Sequence, residues 1–407
     1  MTPGAQAEAA ITLLAAVEQG NAPADEIVGG YFRRHRFAGA KDRAVIGSHV
    51  FGVLRRRAAL DWRIEQAGLS PDPRRRVIAA LVLCGEWTPE RVGRAFDGDR
   101  FRPRPLDTAE RAFTLSLAGQ PLLDRGMPSA VRGNYPAWIE PDLAASLGRD
   151  LAREMAAAEA EAPLDLRVNA LKATREAARA ALAREGVEAA RTRLSRVGLR
   201  LFTRVPLANL ESFRSGAVEV QDEGSQLAAL LVCARPGMRV VDFCAGAGGK
   251  TLALAAAMQN RGHLIACDVS ARRLERAAER LRRAGVSIAQ RKPLEGARDK
   301  WVKRHARSFD RVLVDAPCSG TGTWRRNPDA KWRLTAAGIT ALLPLQAEIL
   351  DSAARLVRPG GRLVYVTCSL LDAEGKAQVD AFLAGHPDFF ILPGDRVWRD
   401  TVGDDCP

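Results

Sequence analysis

No apolar run in this chain approaches the ~20 residues that a membrane-spanning helix needs. The start, M-T-P-G-A-Q-A-E-A-A, has no basic segment followed by an apolar one, so no secretory signal is expected. No Cys-x-x-Cys occurs. The seven cysteines, Cys84, Cys233, Cys244, Cys267, Cys318, Cys368 and Cys406, are odd in number and widely spaced. That spacing argues against a disulfide framework and against a zinc or other metal site, and it points to a reducing cytoplasm. Aromatic residues make up only 6% of the chain, and the five histidines fall in no catalytic spacing. Acidic residues are outnumbered 61 to 48 by lysine and arginine, for a formal charge of +13. Such a balance suits a polyanionic partner, most often nucleic acid. An arginine-favouring gene composition would give the same balance, so charge gains weight only beside motifs.

What is present sorts along the chain. The length of 407 residues allows two or three domains, and 47% hydrophobic content can build their cores. Apolar residues recur at helical spacing through Ala9–Val17 and Val45–Leu54, and no strand-like alternation precedes residue 160. Residues 1–130 are therefore expected to form an all-α bundle. Pro- and charge-rich stretches at 96–107 and 126–142 are expected loops or boundaries. From Leu164 the chain alternates, L-D-L-R-V-N-A-L-K, as a strand does. A helix at about 174–185 and a strand near 200–204 make 131–215 a small α/β module. The remainder, 216–407, alternates short β-branched runs with helical stretches, the pattern of a parallel, doubly wound sheet.

Within that last region, Met238–Phe243 forms a first strand. It runs into a glycine-rich turn, Cys244-Ala245-Gly246-Ala247-Gly248-Gly249-Lys250-Thr251, and then a helix. A dinucleotide fingerprint counted from Gly246 would need glycine at Thr251. A P-loop counted back from Gly249-Lys250-Thr251 would need glycine at Cys244. Both fail. A second strand, His263–Asp268, ends on an acid some twenty residues beyond the glycines, where a carboxylate suits a ribose diol. A third strand is expected at 286–290. Two further apolar runs, 311–314 and 362–366, are each followed within a few residues by a cysteine, Cys318 and Cys368. Ligands bind beyond the carboxyl ends of such strands, so these cysteines are expected to face one crevice.

The stretches V-D-A-P-C-S-G-T-G-T-W (314–324), R-R-N-P-D-A-K-W (325–332) and T-C-S (367–369) resemble the RsmB and Nop/Sun family of RNA cytosine methyltransferases. The resemblance is strong over 216–385 and looser before it. It implies a Rossmann-like class I methyltransferase domain, preceded by an all-α NusB-like domain and a small α/β RNA-recognition module. It also implies S-adenosyl-L-methionine as cofactor and RNA, most often 16S ribosomal RNA, as substrate. By that resemblance Cys368 is the nucleophile, Cys318 assists release, Asp315 bonds the pyrimidine ring, and Lys250 lies close by. DNA enzymes use the Pro-Cys cysteine instead, so the two cysteine roles can be exchanged. The cofactor set is Cys244, Ala245, Gly246, Gly248, Gly249, Lys250, Asp268 and Asp315; the family has Ala-Pro where Gly246-Ala247 stand. Arg167, Asn169 and Lys172 match the family's Leu-Arg-Val-Asn-x-Leu-Lys, and with Lys331 and Arg333 they are the expected RNA contacts. The arginines of 33–36, 55–57 and 74–76 are candidate phosphate contacts.

Two departures accompany the match. The family's third strand usually ends in an acid near the adenine, where this chain has Arg291-Lys292-Pro293-Leu294. The family's final strand, which lies antiparallel at the sheet edge, has no counterpart after residue 385. A monomer is expected, with transfer RNA as the alternative substrate. A ribosome-assembly factor with a decayed catalytic domain is the reading from a different class.

Overall fold

The computed structural model describes residues 1–402 apart from Asn21 and Arg204, so Cys406 lies outside the described residues. Two compact units are present. The first comprises residues 1–161 together with 320–338 and 369–372; the second comprises 162–319, 339–368 and 373 onward.

The first unit is helical. Its helices start where the sequence supplies a cap followed by proline. Thr2 caps Pro3–Gln19, Asp72 caps Pro73–Leu83 and Thr88 caps Pro89–Ala95, each side chain accepting a backbone N–H of the first turn. Asp107 and Glu110 form a reciprocal capping box at Thr108–Leu117. The core is aliphatic, built on Leu13, Leu14, Ile46, Leu54, Leu60, Ile64 and Ile78. Two of the three arginine clusters are drawn inward. Arg76 is 5% exposed and holds Asp61 through two bonds of 2.5 and 3.0 Å. Arg74 pairs with Glu110 at 2.9 Å, and that carboxylate is fully buried. Arg55 is buried and donates to the Arg325 carbonyl at 2.9 Å. Arg33, Arg34 and Arg36 stay on the surface.

The second unit carries two sheets. The small one has order β2-β3-β1-β4, with β1 Leu164–Val168, β2 Ala189–Arg191, β3 Gly198–Leu201 and β4 Val218–Val220. β1 pairs antiparallel with both β3 and β4. The small sheet thus closes at Val220, five residues past the expected boundary at 215. The large sheet is parallel, with order β7-β6-β5-β8-β9, formed by β5 Arg239–Asp242, β6 His263–Asp268, β7 Ala289–Pro293, β8 Phe309–Asp315 and β9 Val357–Val366. The strand order reverses between β5 and β8, which places a ligand crevice at their carboxyl ends. β7 begins three residues later than expected, because its register is set by pairing with Leu264–Asp268. Among the described residues β9 pairs only with β8, and 373–402 adds two helices and no strand. No helix of the described residues is long and apolar enough to cross a membrane.

Candidate active site

β8 and β9 run in register to their ends, Val314 opposite Tyr365 and Asp315 opposite Val366. Their apolar β-branched residues bury into the sheet, and the polar residues that follow emerge together. The Cys318 and Cys368 sulfurs lie 3.3 Å apart, and the Cys368 N–H donates to the Cys318 sulfur at 3.3 Å. Cys368 is the exposed member of the pair and Cys318 is half-buried. Contact with Cys318 pushes the Cys368 thiol up; burial and the Asp315 carboxylate add to the effect. At rest the Cys368 thiol therefore keeps its proton.

Lys250 opens the Gly249–Ala257 helix after β5, and its ammonium lies 2.6 Å from Asp315. The cofactor turn and the cysteine loop thus share one ion pair across the β5–β8 switch point. Beneath it Asp242 is fully buried. Its carboxyl is pushed up to about 6 by burial, against a bond from Thr251, with Asp315 and Asp268 adding. One Asp242 oxygen accepts from Thr251 at 2.7 Å, while the other is buried without a protein partner.

These features fit S-adenosylmethionine. Gly246 and Gly248 adopt φ of +54° and +79°, which L-residues with side chains rarely take, and a Cβ on Gly246 would point into open space. Gly248 caps the helix without a side-chain acceptor, so the first-turn N–H groups are offered to a ligand. Asp268 accepts from Gly246 N–H and Ser270 N–H, each at 2.8 Å, and keeps a second lone pair on each oxygen for a ribose hydroxyl. Cys244 and Ala245 line the turn; the Ala245 N–H bonds the Cys267 carbonyl at 2.8 Å. Burial raises the Cys244 thiol, which is inert in consequence. At the end of β7, Lys292 and Pro293 pair with Cys267 and Asp268, so no acid stands there.

The residues expected to touch RNA divide. Arg167 is 3% exposed and lies opposite Glu219 on β4; burial lowers its guanidinium to about 10. Glu219 also accepts from Arg283 at 2.6 Å. Asn169 is 4% exposed and donates to the carbonyls of Gly216 and Ala284 at 2.9 and 2.8 Å. Lys172 is exposed, yet its ammonium reaches the Ser215 and Arg283 carbonyls at 2.5 and 2.7 Å. This strand bolts the small sheet to the Ala271–Ala284 helix. Lys331 is 4% exposed and donates to the Arg55 carbonyl at 2.9 Å. Arg167, Asn169 and Lys331 are thus buried against their own chain, whereas a phosphate contact calls for a side chain at the surface. Arg333 remains on the surface, paired with Asp329 at 2.9 Å. Of the arginine clusters, 33–36 keeps a surface role. Arg33, Arg36 and Arg43 line a hollow of about 590 Å³ with Phe32.

Sequence reasoning missed Glu374. It is fully buried and accepts from the Ser319 N–H at 2.8 Å, from the Ser319 hydroxyl, and from Gln346 at 2.9 Å. Gln346 also donates to the Pro317 carbonyl at 2.9 Å, and the Tyr365 hydroxyl donates to the Glu374 carbonyl at 2.9 Å. Glu374 thereby holds Ser319 directly and Pro317 through Gln346, and its backbone carbonyl ties down the strand leading to Cys368. A glutamate six residues past a cysteine carries no sequence signal of that burial.

Residues 229–398 match the family model described as 16S rRNA methyltransferase RsmB/F, and 135–208 match the RsmF/B-like ferredoxin-like domain. The chain is 33% identical over 359 residues to ribosomal RNA small subunit methyltransferase B of Xanthomonas campestris, covering 87% of this chain and 82% of that one. It is 31% identical over 362 residues to the same-named protein of Yersinia pseudotuberculosis, covering 86% and 83%. It is similar to the crystal structure of PH0851 with a TM-score of 0.78 and 27% identity, over 97% of this chain and 92% of that one.

Proposed function

The chain belongs to the RsmB/F family of 16S rRNA methyltransferases, and from that premise we propose that it methylates carbon 5 of a cytosine in small-subunit ribosomal RNA through a transient bond to Cys368. S-adenosylmethionine, when bound, supplies an electrophilic methyl group. Carbon 5 of a cytosine is too weak a nucleophile to take it unaided, so covalent activation is needed. The observation that carries the reading is the pair of sulfurs 3.3 Å apart at the ends of β8 and β9.

The steps follow from the chain's own groups. The Cys368 sulfur bonds to carbon 6 as its thiol proton passes to nitrogen 3 by way of Asp315. The carbon 5–carbon 6 π pair shifts to carbon 4–carbon 5, and the carbon 4–nitrogen 3 π pair takes up the proton. Carbon 5 then takes the methyl group, with S-adenosylhomocysteine as the leaving group. A base removes the carbon 5 proton, the bond to Cys368 breaks, the carbon 5–carbon 6 double bond returns, and the departing sulfur recovers the nitrogen 3 proton. Cys318 assists that last step. The greater exposure of Cys368 supports it as the sulfur that meets the base. Lys250 holds Asp315 in place through their 2.6 Å pair. The helical residues 1–130 serve as a NusB-like RNA-binding domain, with the Arg33, Arg36 and Arg43 hollow on phosphate. The protein acts as a monomer in the cytoplasm.

The test is Cys318→Ala with S-adenosylmethionine and 16S RNA lacking the modification. A protein–RNA adduct that survives a denaturing gel is expected, and Cys318→Ala/Cys368→Ala should give none. If Cys368→Ala alone traps RNA instead, the two cysteine roles are exchanged.

A further inference from the structure

We infer that a cavity walled by Trp62, Tyr135, Trp138 and Trp332, with Arg57 and Asp61 at its polar side, is a binding site for one unstacked nucleobase of the substrate RNA. The inference rests on the RNA substrate proposed above. The cavity is about 350 Å³, within the ~300–1,000 Å³ of small-ligand pockets. The chain holds only seven tryptophans, and three of them converge here. Trp138 is 40% exposed, and Trp62 and Trp332 are half-buried. Indole rings gathered around one hollow present apolar π surface that matches a flat π ligand. Every base has such a face, and RNA bases are captured from single strands by aromatic stacking.

The walls are fixed. Trp332, the last residue of the 325–332 motif, donates its indole N–H to the Leu54 carbonyl at 2.6 Å. Arg57 lies over the Trp332 ring at 5.4 Å and Arg63 over Trp62 at 5.3 Å. The polar side favours a base over a cationic side chain. Asp61 is already held by Arg76 at 2.5 and 3.0 Å and lies 3.6 Å from Arg57, so its charge is offset. Arg57 brings guanidinium donors to the cavity, and the exposed Glu65 at its rim offers an acceptor to an exocyclic amine.

The experiment measures the Kd of the full chain for a fluorescein-labelled single-stranded 16S fragment by anisotropy at fixed salt. Trp138→Ala and Trp62→Ala should each weaken binding about tenfold, the scale of one lost stacking contact. Trp138→Phe should restore most of it, because the flat ring returns. The salt slope should not change, since no phosphate contact is touched. Melting temperature and the thermal shift with S-adenosylhomocysteine check that the variants are folded. Kd values within twofold of the parent for both alanine variants would overturn the site. So would a defect seen only with assembled small-subunit particles and not with naked RNA, which would point to a protein side chain as occupant. The covalent reading stands or falls separately: in the Cys318→Ala background, Trp138→Ala at saturating RNA should trap as much adduct as Cys318→Ala alone.

Discussion

The strand ends at 315–319 and 366–369 turn their polar groups out of the core, whereas β1 with Asn169 draws its polar groups in, as the turn at 325–333 does Asp329 and Lys331. Cys368 stands exposed two residues beyond a parallel strand packed on aliphatic neighbours. Arg167, Asn169 and Lys331 belong to motifs just as recognisable, yet each is at most 4% exposed: Asn169 and Lys331 are bonded to backbone carbonyls, and Arg167 lies opposite Glu219. The difference teaches that a cation or amide in a signature need not meet the substrate. Where strands end in a parallel sheet, the polar residues that follow have nowhere to bury. Where two elements must be joined, a long side chain that reaches several carbonyls does the joining.

Glu374 crosses the two cases, being buried itself while it fixes the exposed loop. Glu374→Gln keeps the shape but turns an amide N–H₂ toward the Ser319 donors. We expect turnover to fall on the order of 10²-fold, since displacement of a catalytic group by about 1 Å costs that much. Adduct should accumulate with both cysteines present, because the loop it loosens carries Cys318. The thermal shift with S-adenosylhomocysteine should be unchanged. Full turnover with a lowered melting temperature would make the carboxylate part of the scaffold only and would restore a clean division.

Much of this was legible in the sequence. Arg311–Val314 and Arg362–Val366 announced β8 and β9, and strand order alone brought Cys318 to Cys368. The missed parts share one cause: sequence shows a side chain's chemistry but not what covers it. Lys331 and Arg333 sit two residues apart, within and just past one motif, and only the structure shows Lys331 inside against Arg55 and Arg333 outside against Asp329. β4 is three residues long and has no period to detect. β7 was misplaced toward Val286 and Ile288, which are apolar but precede the residues that pair with β6.

Lys331 gives a sharper test of the inward case, through pH. Burial, aided by Arg55 and Arg56, lowers its ammonium to about 7, against about 10.4 for a free lysine. Between those values the folded protein binds fewer protons than the unfolded chain, so stability rises with pH across the window and is lost as pH falls through 7. From pH 6 to pH 9 this group should add about 2–3 kcal/mol. Urea midpoints of the parent and Lys331→Met isolate it, because other titrations are common to both. An equal pH dependence in the two proteins would mean that Lys331 reaches solvent, and the phosphate role would return.

The smallest effect concerns Asn169. Replacing it by alanine strips the donor from the Gly216 and Ala284 carbonyls, which lie 2.9 and 2.8 Å away. Leaving buried carbonyls without a partner costs roughly 1–2 kcal/mol where water can partly compensate. Asn169→Ala should therefore melt earlier yet bind the 16S fragment within twofold of the parent at 20 °C, well below the transition. The two readouts separate what the motif alone leaves joined. A tenfold loss of RNA affinity with an unchanged melting curve would place Asn169 at the RNA surface and break the contrast between strand ends and tethers. A loss of stability alone assigns the Leu-Arg-Val-Asn-x-Leu-Lys strand to joining the small sheet to the Ala271–Ala284 helix. That helix follows Asp268, so the joint would act on RNA chemistry only by keeping the cofactor-side strand in place.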